Sequence, residues 1–285
     1  MSLGIISTKR RIRSVESTRK ITKAMELVST SKLKRCRDVY DKSNIYTNDV
    51  LKMTQEILAS IEDKTSIYTD LTREGPKLYI VVFSNLGLCG GYNANVSKCV
   101  KEVINKDEDK LIVIGLKGIN TLVKQGYNVI HSIEEDTTGN EQEVSKELSL
   151  LVKQMYENNE ISQVKFIYTK FVNSLTFIPE CLTLLPINPS DFKKEQKSSD
   201  YAETQFEPNA QLVLDNLLPL YFESTLFGKL VESHVSEQAS RRTAMENATD
   251  NADEIRETLL LQYNKARQGA ITQEITEVVA GANAS

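Results

Sequence analysis

The chain has 285 residues with 40% hydrophobic and 26% charged residues, 6 Pro, 12 Gly and no Trp. That is enough for one large or two modest domains with a core, and the scarcity of Pro and Gly favours helix. No run approaches the roughly 18–20 apolar residues of a membrane-spanning helix, and MSLGIISTKRRIRS lacks the apolar stretch of a secretory signal. Net charge is −4 but unevenly placed: residues 1–42 hold twelve Lys and Arg against four Asp and Glu, net +8, which leaves net −12 for the remainder. A basic leading helix on an acidic protein is offered to something negative: nucleic acid, anionic lipid or an acidic protein surface. Cys36, Cys89, Cys99 and Cys181 form no CxxC pair, and two His are too few to complete a zinc site, so the thiols read as reduced.

In chain order, residues 3–62 read as one helix with an intermittent apolar stripe of Ile12, Val15, Met25, Val28, Cys36, Tyr40, Val50, Ile57 and Ile61. Such a helix is ~90 Å long and needs packing along its length. Gly75-Pro76 closes that region. Leu78–Phe83 is then an apolar strand, 87–93 (GLCGGYN) a tight loop, and 95–104 a helix. Strands follow at 111–114 and 127–131, with helices at 117–125 and 141–158. Residues 164–172 and 175–184 form a hairpin about Asn173-Ser174. Strands alternating with helices imply an α/β layer with a partly parallel sheet. Residues 186–208 carry Pro186, Pro189 and Pro208 and read as an exposed loop.

From Ala210 to Ala280 the chain reads as helix, with a kink or fresh start expected at Pro219, which costs about 3 kcal/mol inside a helix. Its seam of Met245, Ala248, Ala252, Ile255 and Leu259 has the coiled-coil interval, then thins to Gln262, Ala266, Gly269 and Gln273. Small residues at Ala248, Ala252, Ala266, Gly269 and Ala270 are expected to bring two backbones close. The plan is α/β: an N-terminal helix (1–62), an α/β domain (76–190), a loop (191–208) and a C-terminal helix (209–285). The two long helices cover each other's seams as an antiparallel coiled coil, with the termini together at its tip.

Gly87–Gly91 lies between a strand and a helix, where a phosphate cradle would sit, but it matches neither GxGxxG nor GxxxxGK[ST]. A tight turn around a small buried Cys89 suits it better than nucleotide binding. His131 and His234 have no obvious Ser or Cys partner and read as surface or packing residues. Glu134-Glu135 and Asp253-Glu254 read as solvated faces. The basic stretches 9–13 and 32–37 lack the interleaved aromatics of a nucleic-acid surface, so a helical contact with a protein fits better. The competing readings are an α/β nucleotide-binding enzyme with helical arms and a basic-helix nucleic-acid adaptor.

Four blocks carry a resemblance: RIRSVESTRKITKAMELVSTSKLKR at 11–35, SNLGLCGGYN at 84–93, SEQASRRTAMENATDNADEI at 236–255 and YNKARQGAITQEITEVVAGA at 263–282. In content, order and spacing the chain resembles the gamma subunits of bacterial F-type ATP synthases. The resemblance implies a Rossmann-like α/β domain bracketed by the coiled coil. It implies a non-catalytic central rotor shaft, in one copy, that couples ion-driven c-ring rotation to conformational change at beta-subunit catalytic sites. The implied partners are an alpha3beta3 hexamer, an epsilon subunit and the membrane c-ring, with no cofactor, metal or nucleic acid. The implied location is the cytoplasmic face of the cell membrane, peripherally bound. Lys20, Lys23 and Met25 fall where the N-terminal helix of the family meets acidic beta loops, and Arg267, Gln268, Thr272 and Glu274 where the C-terminal helix is gripped. Asn85 and Leu86 stand where the family commonly has Asp-Arg, removing any ion pair made there, and Arg242 replaces a usual Met. The paired-cysteine insertion of the plant chloroplast form is missing.

Overall fold

The computed structural model describes residues 2–60, 66–173, 176–191, 207 and 210–283. Ile61 and residues 192–206 and 208 of the expected loop lie outside the described residues. The described residues form five α-helices: α1 (Ser2–Ser60), α2 (Tyr92–Val103), α3 (Leu116–Lys124), α4 (Glu141–Glu157) and α5 (Ala210–Asn283). The strands are β1 (Lys77–Val82), β2 (Lys110–Ile114), β3 (Val129–Ile133), β4 (Gln163–Phe171) and β5 (Phe177–Leu185). The chain divides into two units, residues 1–31 with 241–285 and residues 32–240, and both long helices contribute to each.

Within 32–240 the strands form one sheet in the order β3-β2-β1-β4-β5. The first four run parallel, and β5 returns antiparallel to β4, from Val164↔Leu185 to Phe171↔Phe177. A parallel sheet must be covered on both faces, so its central strands are apolar without alternation; β1 is buried from Leu78 to Val82. Leu78, Ile80 and Val82 face a core with Leu148 and Val152 of α4 and Leu214, Leu218 and Leu226 of α5. Tyr79, Val81 and Phe83 face a second core with Val96 and Val100 of α2 and Leu122 of α3.

α5 runs through Pro219 as one helix, so the expected fresh start does not occur. Proline removes one helical hydrogen bond, a cost of about 3 kcal/mol. Leu214, Leu217, Leu218 and Phe222 flank it and are buried in the sheet core. At roughly 1.5–3 kcal/mol per buried side chain their gain exceeds that cost.

The seam of α1 is more regular than its sequence stripe. Side chains at 19, 22, 26, 29, 33, 36, 40, 43, 47, 50, 54 and 57 are all buried or half-buried, an unbroken alternation of three and four. Many are hydroxyls rather than Leu, Ile or Val. Thr22, Ser43 and Thr54 donate to their own helix at Arg19 O (3.0 Å), Tyr40 O (2.9 Å) and Val50 O (2.8 Å). These polar atoms are thus satisfied inside the seam. Val28, expected in the stripe, is exposed, and Ser29 takes the seam position.

Candidate coupling surface

In a parallel sheet the natural ligand crevice lies at the C-terminal strand ends where the winding reverses. Here that point lies between β1 and β4, with the Gly87–Gly91 loop at its rim. The loop is internally tied. Asn93 Oδ1 accepts from Ser84 N–H (3.1 Å), Asn93 Nδ2 donates to Ser84 Oγ (2.7 Å), and Ser84 Oγ donates to Leu86 O (2.7 Å). Cys89 is 2% exposed. Gly90 takes the left-handed conformation.

The crevice is filled by α5. β4 pairs with β1 only as far as Ile167, so its later amides need other partners. Ser233 Oγ accepts from Thr169 N–H (3.4 Å) and lies 2.8 Å from Tyr92 Oη. Glu232 Oε1 accepts from Phe171 N–H (3.1 Å). Ser240 Oγ donates to Cys89 O (2.7 Å). The protein's own helix stands where a dinucleotide would lie, which removes the structural basis for the nucleotide-binding reading. The turn around a small buried Cys89 is what the structure contains.

His234 is a packing residue, 4% exposed. Its Nδ1–H donates to Glu141 Oε1 (2.9 Å), and Thr137 Oγ1 lies 2.9 Å from Nε2. Burial works to raise the Glu141 pKa, but the His234 bond and the Gly139 amide outweigh it and hold the carboxyl below its ordinary value. Burial pushes the Cys36 thiol up to about 11, so it is unreactive. Asn85 bridges Glu135 O (2.7 Å) and Leu116 N–H (2.7 Å), a neutral tie at the start of α3.

In the other unit, α1 and α5 pair antiparallel. Thr22–Thr249 (2.9 Å), Arg19–Asp253 (2.6 Å) and Glu16–Arg256 (3.1 Å) step in opposite directions along the two helices. The α5 seam runs Met245, Thr249, Ala252, Arg256 and Leu259, differing from the expected one. Ile255 is 49% exposed, because Thr249 and Arg256 have polar partners opposite and take the inward positions. Asp253, expected on a solvated face, belongs to this polar seam. Arg242 is half-buried and pairs with Glu246 (3.8 Å).

Gln262, Ala266, Gly269 and Gln273 are exposed, and a Cβ at Gly269 would meet nothing within 4 Å. Of the five small residues expected to bring the backbones close, Ala252 is buried, Ala248 and Ala270 are half-buried, and Ala266 and Gly269 are exposed. In this register Ser2 comes level with Ala270, so the last turns of α5 overrun the start of α1 by ~20 Å. The expected meeting of the termini is replaced by a stagger. Every side chain from Ile271 to Ala280 is exposed, including Ile271, Ile275, Val278 and Val279.

The sequence-derived contact residues fall into two groups. Lys20 and Lys23 are exposed on successive turns of α1, Lys23 held by Glu26 (2.9 Å), and Met25 is half-buried beside exposed Leu27 and Val28. Arg267, Gln268, Thr272 and Glu274 are exposed on the last turns of α5, where Thr272 Oγ1 donates to Gln268 O (3.0 Å). Lys23 is near the level of Thr249, so Arg267 is ~27 Å further along the coil. The seven residues are therefore two separate surfaces rather than one site. His234 is one of the packing residues the sequence allowed for; the residues that sequence reasoning missed are Glu232, Ser233 and Ser240 in the crevice and Glu16, Arg19 and Arg256 in the seam. The unbroken three-and-four spacing of α1, read without requiring apolar residues, would have exposed the seam.

Residues 5–284 match the ATP synthase family. The chain is 41% identical over 291 residues to the ATP synthase gamma chain of Mycoplasmopsis synoviae, covering 99% of each chain. It is 39% identical over 292 residues to that of Alkaliphilus metalliredigens (100% and 99% covered) and 38% identical over 276 residues to that of Mycoplasma capricolum (96% of each). Its fold is similar to a chain of the Euglena gracilis mitochondrial ATP synthase OSCP/F1/c-ring structure. The TM-score is 0.71 at 19% identity, covering 100% of this chain and 95% of that one. The chain therefore belongs to the ATP synthase gamma chain family.

Proposed function

We propose that this chain is the central rotor shaft of an F-type ATP synthase, non-catalytic in itself. It couples ion-driven rotation of a membrane c-ring to conformational change at the catalytic sites of beta subunits. It works as one copy with an alpha3beta3 hexamer and an epsilon subunit, peripherally bound at the cytoplasmic face of the cell membrane. The helical segments 1–62 and 209–285 serve as the shaft, and 76–190 is the α/β domain, joined through 191–208. Lys20, Lys23 and Met25 meet acidic beta loops, while Arg267, Gln268, Thr272 and Glu274 are gripped near the tip. A partner shifts an equilibrium only by contacting its states differently, and an asymmetric shaft does this at three sites in turn.

The observation that carries the reading is the end of α5, a continuous helix whose side chains from Ile271 to Ala280 have no cover from this chain. An isolated helix of this length is marginal in water and requires a surround. The basic face of α1 suits an acidic one. Reconstitution with alpha and beta subunits tests the proposal. The chain is expected to enter the hexamer, and a marker on the α/β domain to turn during ATP hydrolysis; failure of either refutes it.

A further inference from the structure

Every residue of α5 from Leu230 to Ser240 is buried, yet apart from the stripe of Val231, Val235 and Ala239 the segment beyond Leu230 is polar. Helices buried all round are ordinarily apolar all round. Here Glu232, Ser233, His234, Ser236, Glu237, Gln238 and Ser240 fill a position where Leu or Ile would add burial energy. Four of them reach out to four different parts of the α/β domain. Glu232 holds the Phe171 amide of β4, and its other oxygen is paired with Lys229 (2.9 Å). Ser233 ties Thr169 of β4 to Tyr92 of α2. His234 binds Glu141 of α4 and Thr137 before it, and Ser240 binds Cys89 in the loop after β1.

At 100° per residue, Glu232, Ser233 and His234 point in directions that span more than half the circumference of the helix. The remaining side is closed by α1, where Leu33 and Cys36 pack on Val235 and Ala239. Apolar packing is non-directional and resists turning about the helix axis weakly, whereas hydrogen bonds hold orientation. From this we infer that residues 232–240 form a keyed torque joint, in which Glu232, Ser233, His234 and Ser240 act as positioning residues locking the α5 shaft against rotation inside the α/β domain. The inference depends on the rotor reading and deepens it, because a chain that transmits torque needs its helix held about its own axis under load.

The test uses the complex assembled with alpha and beta subunits, fixed on a surface and stalled with a non-hydrolysable ATP analogue. The angular fluctuation of a bead on the α/β domain is recorded. In Glu232→Met/His234→Leu, which keeps volume and removes the directional bonds, the angular variance should rise at least twofold. Glu232→Gln retains an oxygen for the Phe171 amide and should stay at the wild-type value. Leu148→Ala weakens the sheet core away from the joint; it should lower the thermal midpoint and leave the variance unchanged. An unchanged variance in the double variant, or an equal rise in Leu148→Ala, overturns the inference. Ser240→Ala removes one bond and should raise the variance by a smaller factor. If the double variant does not assemble, an unchanged variance in Ser240→Ala overturns the inference in its place. A wild-type bead that does not step during hydrolysis refutes the rotor reading itself, before any variant is compared.

Discussion

Gly115 and Glu141 show how single residues hold the α/β domain together. Gly115 has φ 99° where β2 passes into α3, and a Cβ there would collide with the Phe83 carbonyl, which is backbone and has no room to yield. Gly115→Ala therefore combines left-handed strain with a backbone clash and should cost about 3 kcal/mol or more, read as a fall in the denaturation midpoint. Glu141 is buried against His234, and its carboxyl is held below the ordinary value of 4.5. A carboxyl with a depressed folded pKa contributes stability above its unfolded value and loses it as pH falls through the folded one. Glu141→Gln should thus destabilise by about 2–3 kcal/mol near neutral pH, the scale of losing buried hydrogen bonds to a charged group. The gap to wild type should close below pH 4.5, and chemical denaturation across a pH series checks both the size and the sign.

At the scale of elements, the two long helices each change character along their length. α1 keeps its alternation of three and four throughout, and among its mixed seam residues Thr22, Ser43 and Thr54 donate to carbonyls of their own helix, which satisfies these buried hydroxyls. α5 passes from an apolar stretch in the sheet core, through a polar buried stretch, to an uncovered end. Met25 sits where α1 presents Leu27 and Val28 outward between basic turns. On the proposed contact with acidic beta loops, Met25→Lys adds a cation there. Ion transport per ATP hydrolysed should fall more than the yield of assembled complex, and unchanged coupling would remove Met25 from the contact. Removing residues 271–285 should leave the thermal midpoint of the isolated chain within ~1 °C, since every side chain from Ile271 to Ala280 is exposed and surface changes of this kind cost little.

For the whole molecule, the three buried apolar clusters found among the described residues all lie within 32–240. The unit of residues 1–31 and 241–285 is held by isolated apolar contacts such as Ile12 and Leu259 and by polar pairs. Surface ion pairs contribute only about 0–1 kcal/mol each. Native-state hydrogen exchange on the isolated chain should therefore show amides of this unit opening at low free energy, while β1, β2 and β4 exchange only with global unfolding. Equal protection in both units would contradict this account of where stability resides.

Periodicity and punctuation in the sequence were enough to place the helices and strands, because local propensity and apolar spacing decide where an element forms. LYIVVF at β1, the hairpin of β4 and β5, and the long helical ends were legible in this way, as was the family, whose motifs are carried in unbroken blocks. Strand order was not, since parallel neighbours are chosen by crossover connections and by which faces can be covered together. Nor was the passage of α5 through Pro219, which depends on core partners far away in sequence. The seam was misread at Val28 and Ile255 because a polar residue takes an inward position only when its partner on the other helix is known. For the same reason the filled crevice was hidden: nothing in the helical run around Glu232 and Ser233 shows the partners on β4 and α2 that only folding brings to them. The sequence by itself determined the elements and the kinship of this protein; only the tertiary structure decided that Glu232, Ser233, His234 and Ser240 lie buried with partners on β4, α2, α4 and the loop after β1, because those partners are distant in sequence.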